Sequence, residues 1–473
     1  MISLLQIYEG RVFILLDTLE KLVDYMRKLG VDFCDARFEQ RENLQILTTN
    51  GNIRAISRNV RSGVSIRAFL NGHWGYASST ELSWESLKSA AEKAVKIVKS
   101  TKGTEKIELN PVVVEKKYKP PIKINPQEIS LEEKINLLLE LDKAQRKADQ
   151  RVVNSNTRYS DSCINFTVVN SEGSKIEWSE IRIGVVAMPV AFEAGKMQSS
   201  YFVKSGTRGY ELVKEIDPNV EGESVAKEAV ELLSAEKPPG GYLTVIIDPD
   251  VAGLLAHEVM GHASEADEIV KKRSFLTGVV GKKVGSELVT MVDDGTVPGA
   301  YGTISFDSEG TPSSKTIIIE NGVYKGYMHN LETAAIMNVK LTGNGRAQDY
   351  NRRVWVRMTN TFFEKGDWDL EEMISETKKG LLALKALSGM EDPVGGGFEA
   401  RVLKGYIIEN GEKKNLVRSF TLTGKALDIL KTVDAVSKDF ILHGGSCGKG
   451  EEDFVPVSTG GPYMRAKILV GGG

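Results

Sequence analysis

The chain has 473 residues, 41% of them hydrophobic, which is too long for one ordinary core and calls for two or three domains. Lysine and arginine total 61 against 64 aspartates and glutamates, and the formal net charge of -3 gives no electrostatic reason to expect nucleic acid or an anionic membrane; the expected partner is a small molecule or a protein. Three widely spaced cysteines (Cys34, Cys163, Cys447) argue against a disulfide framework and for a reducing, cytoplasmic setting, and no uncharged apolar run approaches the roughly 18 residues of a membrane span.

The apolar residues 1–16 are interrupted by Glu9, Gly10 and Arg11 and lack a basic leader or small-residue cleavage site, so no signal peptide is expected. Leu15, Leu16, Leu19, Leu22, Val23 and Met26 have amphipathic helical spacing, ending near Gly30. Residues 44–49 and 53–57 flank Asn50-Gly51, and residues 63–70 and 73–78 flank Asn71-Gly72, which predicts two consecutive hairpins because Asn and Gly tolerate positive φ. Ser83 can cap a helix reaching about residue 99, and Ser130 with Glu133 forms a capping-box pattern before a second. Between them, residues 101–126 are rich in Lys and Pro and read as an extended linker. Strands are expected at 164–170 and 181–192, then a helix at about 224–235, so that the first half repeats a helix, strands, helix unit.

Lys237-Pro238-Pro239-Gly240-Gly241 is the best domain boundary, separating an amino-terminal domain (residues 1–237) from a β-rich one (residues 242–473). The second half is glycine-rich, with similar hairpins around Asn321-Gly322 and Asn410-Gly411. The expected fold class is therefore α+β: a mixed domain with a hairpin-built sheet and flanking helices, then a strand-rich antiparallel domain.

After Asp248-Pro249-Asp250 a helix should carry His257-Glu258-Val259-Met260-Gly261-His262. In a chain with five histidines, such a His-Glu-x-x-x-His string is informative and suggests a divalent cation, zinc above all. Five residues advance a regular helix by roughly 500°, leaving His262 about 140° round from His257 and unable to share an ion with it. The helix must therefore kink or widen, most readily at Gly261, and irregular geometry is predicted between Met260 and Ala263. A straight α-helix from His257 through Glu265 would sink the shared-ion idea.

A hydrolytic zinc site needs a third protein ligand and one open position. Glu265, Asp267 and Glu268 are nearby candidates, and Cys447 is a more unusual one, since the flanking glycines leave its thiolate accessible. The bland readings are solvated or capping carboxylates and a small thiol packed in a glycine-rich turn; Cys34 and Cys163, in or beside strand-like runs, read as structural. Glu258 points away from the two histidines and is placed to take a proton from water on the ion and pass it to a leaving amine. The Gly-Lys stretches at 278–283 and 444–450 lack phosphate-loop spacing, and no Cys-x-x-Cys pair exists for a closed structural zinc site.

Beyond that string, the second half contains Glu265-x-Asp267, Val292-Asp293-Asp294-Gly295-Thr296, Asp307-Ser308-Glu309-Gly310-Thr311-Pro312, Glu320-Asn321-Gly322 with Lys325-Gly326-Tyr327-Met328, Thr342-Gly343-Asn344-Gly345-Arg346, Arg357-Met358-Thr359-Asn360-Thr361 and Cys447-Gly448-Lys449. With Gly63-Val64-Ser65-Ile66-Arg67 and Trp74-Gly75-Tyr76-Ala77 in the first half, nearly the whole chain resembles the TldD/PmbA metallopeptidases, once called modulators of DNA gyrase. The resemblance implies a zinc peptidase with the ion on His257, His262 and Cys447 and with Glu258 as catalyst, and it moves Glu265 to a supporting role. It also implies broad cleavage of flexible or unfolded peptides, and a homodimer or a heterodimer with a metal-lacking paralogue. Because the ligands are kept, the chain looks like the TldD-type, active branch. An extended peptide adding to a sheet edge beside the ion suits that substrate class. Competing readings are a metal-stabilised peptide-binding or scaffold protein, and hydrolysis of a non-peptide amide or ester by the same chemistry.

Overall fold

The computed structural model describes residues 4–101, 106–392, 394–450 and 453–471. The first half runs α1 (Leu4–Lys28), β1 (Phe33–Thr49), β2 (Asn52–Leu70), β3 (His73–Ser79), α2 (Trp84–Ser100), β4 (Glu115–Tyr118), α3 (Leu131–Ala148), β5 (Val152–Asn170), β6 (Lys175–Glu193), β7 (Lys196–Ser199), β8 (Phe202–Gly206) and α4 (Pro218–Glu231). These strands form one sheet in the order β3-β2-β1-β5-β6-β4, with β7 and β8 also paired to β6.

Local chemistry sets most of the boundaries. Ser83 accepts from the Ser86 N–H and Ser130 from the Glu133 N–H, so both predicted caps start their helices. Asn50 and Gly51 (φ 51° and 77°) and Asn71 and Gly72 (φ 52° and 82°) make the tight turns that only left-handed residues allow. Two expectations need correction. The paired hairpins are one meander, because residues 53–57 and 63–70 are the two ends of the single strand β2. Its exposed middle, Arg58 to Ser62, has no alternating apolar pattern, yet its backbone stays in register with Leu44 to Gln40 of β1. The last helix of this half starts at Pro218 rather than residue 224, because the Asp217 carboxylate caps it by accepting from Asn219 and Val220.

All four helices cover one face of this sheet. α1 and α2 bury Leu19, Leu22, Ala91 and Val95 against Ala36, Val64 and Ile66, α3 packs on Ile46 and Tyr159, and α4 packs on Val152 and Ala191. The opposite face meets the second half through polar clamps. Arg67 donates to Asp35 (3.0 Å) and Glu309 (2.8 Å), Arg37 to the Asp349 carbonyl (2.9 Å), and Arg182 to the Tyr301 carbonyl (3.0 Å).

The second half contains β9 (Gly241–Ile247), α5 (Pro249–Leu254), β10 (Met291–Asp294), β11 (Lys315–Glu320), β12 (Val323–Tyr324), β13 (Gly345–Arg346), β14 (Trp355–Val356), β15 (Asn360–Phe363), β16 (Lys379–Asp392), β17 (Gly397–Glu409), β18 (Glu412–Lys425), β19 (Ala435–Val436), β20 (Ile441–Cys447), β21 (Val455–Gly461) and β22 (Met464–Gly471). Strands β9, β16, β17, β18 and β22 close into a ring, since β22 pairs with both β9 and β18. A second sheet has the order β12-β11-β10-β15-β21-β20. Among the named strands of this half, pairing is antiparallel except for β9 with β16 and β15 with β21, so the antiparallel expectation holds for most of it.

Helix α5 and its continuation lie between ring and sheet, touching β15, β16, β17, β20 and β21. Val251, Ala252, Leu255, Ala256, Val259, Met260 and Ala263 are all fully buried there, while Asp250, Leu254, Glu258 and His262, four residues apart, form a partly exposed stripe. Among the described residues no helix is long and apolar enough to cross a membrane.

The helix comes tightly against the backbone of β21 at Gly253, where a Cβ would lie 2.4 Å from the backbone nitrogen of Gly460. Gly253→Ala should gain about 1 kcal/mol of helix propensity but lose about 3 kcal/mol to backbone overlap, so overpacking wins. The variant is expected to melt several degrees below the parent in a thermal scan; an unchanged or raised melting temperature would show that the helix can lift off β21 freely.

Candidate metal centre

Asp248 begins the critical helix, its Oδ1 accepting from the Val251 N–H (2.9 Å) with Pro249 in the first turn, as the sequence predicts. Regular geometry lasts to Leu254, and residues Leu255–Gly261 then widen into a π-helical turn in which the His262 N–H donates to the His257 carbonyl. The distortion is present but begins upstream of the predicted 260–263 stretch. Gly261 serves it by packing rather than by an unusual φ, since a Cβ there would lie 2.2 Å from Met358 Sδ. The wide turn brings the His257 and His262 rings to 5.1 Å between centroids.

Cys447 arrives on the end of β20, and its Sγ is 3.4 Å from His262 Nε2. One donor atom from each of His257, His262 and Cys447 lies within 4.8 Å of the others, so the three residues named from sequence come together. Glu258 lies outside this cluster and half-buried, its side chain against Gly389 of β16, where a Cβ would be 2.7 Å from Glu258 Cγ. Glu268 pairs with Lys271 instead. Glu265 and Asp267 both bind Lys449 Nζ (2.8 Å and 2.7 Å), and Glu265 Oε2 also lies 3.2 Å from His262 Nδ1. A carboxylate on the far nitrogen of an imidazole orients that ring and raises its basicity as a ligand.

The electrostatics follow from this enclosure. Burial would push the Cys447 thiol up, but His257 and His262 overcome it and hold the thiol well below its ordinary value. Burial would likewise lower His262, but Glu265 and Cys447 hold it well above the usual imidazole range. Against its own burial, Glu265 is drawn down to about 2 by Lys449 and His262. By contrast, burial pushes the thiols of Cys34 and Cys163 up to about 12, in keeping with structural roles.

Lys449 and Arg357 were not singled out as individual site residues by the sequence reading. Arg357, fully buried, donates to the carbonyls of Cys447 (2.6 Å) and Asp453 (2.7 Å) and so ties off the loop that follows the cysteine. The motif strings containing these residues were visible, but a burial this deep for Lys or Arg has no signal in a single sequence. His443, without a motif role, lies 3.1 Å from Asp250.

The donor set fits a divalent cation of borderline softness. It offers a stabilised thiolate and two imidazoles in one enclosed corner, and His257 Nδ1 is buried with no hydrogen-bond partner.

Comparisons with known proteins agree with this chemistry. Models of the PmbA/TldA metallopeptidase family match along the chain: domain 1 at residues 34–98, the central domain at 124–235 and the C-terminal domain at 239–472. A metalloprotease of Methanocaldococcus jannaschii is 38% identical, the alignment covering 96% of this chain and 99% of that one. A zinc metalloprotease TldD homolog of Saccharolobus solfataricus is 28% identical over 96% of this chain and 99% of its own length. The crystal structure of TldE from Thermococcus kodakarensis superimposes with a TM-score of 0.74 at 22% identity, covering 96% of this chain and 100% of that one, a likeness of fold.

Metal analysis of purified protein should find one bound divalent cation per chain, and Cys447→Ser should lose it. Glu265→Gln, which leaves all three donors in place, should weaken affinity about 10–100-fold in a chelator competition. Full retention by Cys447→Ser would return the third position to a carboxylate.

Proposed function

The chain belongs to the PmbA/TldD metallopeptidase family, and from that premise we propose that it is a zinc-dependent peptidase of the TldD-type branch. In this reading His257, His262 and Cys447 hold the ion, Glu258 is the general base, and the substrates are flexible or unfolded peptides taken with broad specificity. The observation that carries it is the convergence of three donor atoms within 4.8 Å on a turn that also bears a carboxylate outside the cluster. Zinc is favoured by the mixed nitrogen and sulfur donor set, and a relative carries that metal in its name.

The bound ion would supply Lewis acidity, polarising a substrate carbonyl and making water a nucleophile near neutral pH. The chain's own part is to position and to move protons. Glu258 follows His257 directly, so the widened turn that sets the ligand also sets the carboxylate. Its carboxylate accepts the proton of the attacking water and returns it to the amine that leaves. Glu265 and Asp267 are each paired with Lys449, and Glu265 also with His262, whereas Glu258 has no such partner beside the cluster among the described residues, which favours Glu258 as the base.

Extended substrate has a suitable edge. Among the described residues β20 pairs only with β21, so its other edge offers backbone groups leading to Cys447, and a Cβ on Gly445 would meet no atom within 4 Å. Main-chain pairing along that edge would give affinity with little side-chain preference, as broad specificity requires. The assembly in this reading is a homodimer or a pair with a metal-lacking paralogue, working in the cytoplasm.

Glu258→Gln is the decisive variant. Removing a general base costs about 10²–10⁴-fold, so cleavage of a denatured protein or short peptides should nearly vanish while the zinc content stays at the parent level. Turnover equal to the parent would reject Glu258 as the base, and a metal-loaded parent that binds peptides without cutting them would favour a scaffold role.

A further inference from the structure

Several non-glycine residues have left-handed backbone, and nearly all lie in turns or at a helix end; among the described residues Lys385 is the one inside a strand. Its φ is 61°, a conformation that costs a long side chain energy and persists only where surrounding contacts hold it. Just after it the pairing of β16 with β17 slips between Ala386 and Ser388, a bulge with Leu387 as the extra residue.

The contacts that hold it come from two directions. The Lys385 N–H donates to Asp248 Oδ2 (2.7 Å), the same carboxylate whose other oxygen caps α5. The Lys385 ammonium reaches across to the first half, where it binds Glu228 of α4, the Tyr201 carbonyl (3.0 Å) and Ser200 Oγ (3.4 Å). The Tyr201 hydroxyl lies 2.8 Å from the Ala386 carbonyl and 3.1 Å from Asp250 Oδ2, which ties the bulge again to the start of α5. Just beyond the bulge comes Gly389, the residue against which the Glu258 side chain rests. A bulge shifts every residue after it, so its geometry decides whether Gly389 or a side chain meets that carboxylate.

We infer that Lys385 is a positioning residue for Glu258: its ammonium, anchored on the first half of the chain, holds the left-handed backbone at residue 385 that leads into the bulge and so seats Gly389 against the base. This rests on the peptidase reading for its catalytic consequence and on the contacts above for its structural one. The side chain then acts only through the backbone. A glycine, which takes positive φ freely, should do without the ammonium, whereas an unbranched apolar side chain of similar length should not.

The test uses metal-loaded full-length protein with Lys385→Met and Lys385→Gly. Lys385→Met should lower kcat about tenfold with KM within about twofold, the mark of a lost transition-state contact rather than lost binding, and zinc content should not change. Lys385→Gly should recover most of the parent kcat. Hydrogen–deuterium exchange gives a readout independent of turnover: in Lys385→Met, faster exchange should be confined to residues 248–258 and 384–392. An unchanged kcat and exchange pattern in Lys385→Met would overturn the inference. So would a Lys385→Gly variant as impaired as Lys385→Met, because the ammonium would then act by itself. If the parent cleaves no peptide, the peptidase reading fails, and the exchange pattern still decides the positioning claim.

Discussion

One hydrogen bond, from the His262 N–H to the His257 carbonyl, organises the centre. In a regular helix the N–H of residue 262 would bond residue 258, and the two imidazoles would diverge by about 140°. Moving the bond one residue back widens the turn and sets both rings on one side, 5.1 Å apart. Such a turn is intrinsically poor, so it must be held from outside. Leu255, Ala256, Val259 and Met260 are fully buried between ring and sheet, and each large apolar side chain buried in this way contributes about 1.5–3 kcal/mol. Packing fixes the width of the turn, and the turn fixes the chemistry.

The second requirement is to bring a sulfur from nearly two hundred residues further along to that turn without stranding charge. Lys449, two residues beyond the cysteine, is buried with two carboxylates and the Val356 carbonyl around its ammonium. Left alone, an ammonium in such a place would cost several kcal/mol. Placed on Glu265, it ties the segment after Cys447 to the same carboxylate that contacts His262, so one ionic contact bears on both His262 and the approach of Cys447. Arg357 holds the Cys447 and Asp453 backbones together through their carbonyls alone, which leaves the thiolate to the histidines.

Much of this could be read from residues in order. The Asn-Gly turns, the serine caps, the Asp-Pro start of α5, the need for an irregular helix and the His257–His262 pair are local chemistry, and each leaves a local mark, whereas Cys447 stands out from the nearby carboxylates only through the resemblance of the whole chain to a family. What was hidden is non-local. The middle of β2 is polar and exposed, so nothing in its pattern distinguishes a continuing strand from a break; only the pairing with β1 does. The partners of Glu265 illustrate the same limit. Its place near the histidines was legible, but the choice between ligand and support depended on Lys449, whose burial no spacing announces. Lys385 is stranger still, because a left-handed lysine inside a strand runs against every propensity, and only its anchors explain it.

The remaining motif strings, far from the ligands in sequence, now have a physical role. Asp293 is fully enclosed and accepts from the Thr359 N–H (2.8 Å), the Thr359 and Thr361 hydroxyls (2.7 Å and 2.8 Å) and the Asn344 amide (2.8 Å). Burial pushes its carboxyl up, and this ring of donors works against that push. None of these groups belongs to the cluster of His257, His262 and Cys447. They fix β10 against β15, and from there registration passes from strand to strand: Asp293 opposite Thr361, Thr361 opposite Thr459, Thr459 opposite His443, four residues before Cys447. A slip of one residue anywhere along that ladder would turn Cys447 to the other face of its strand and leave the two histidines without their thiolate. The buried aspartate thus bears on where Cys447 meets the two histidines, though it acts from three strands away.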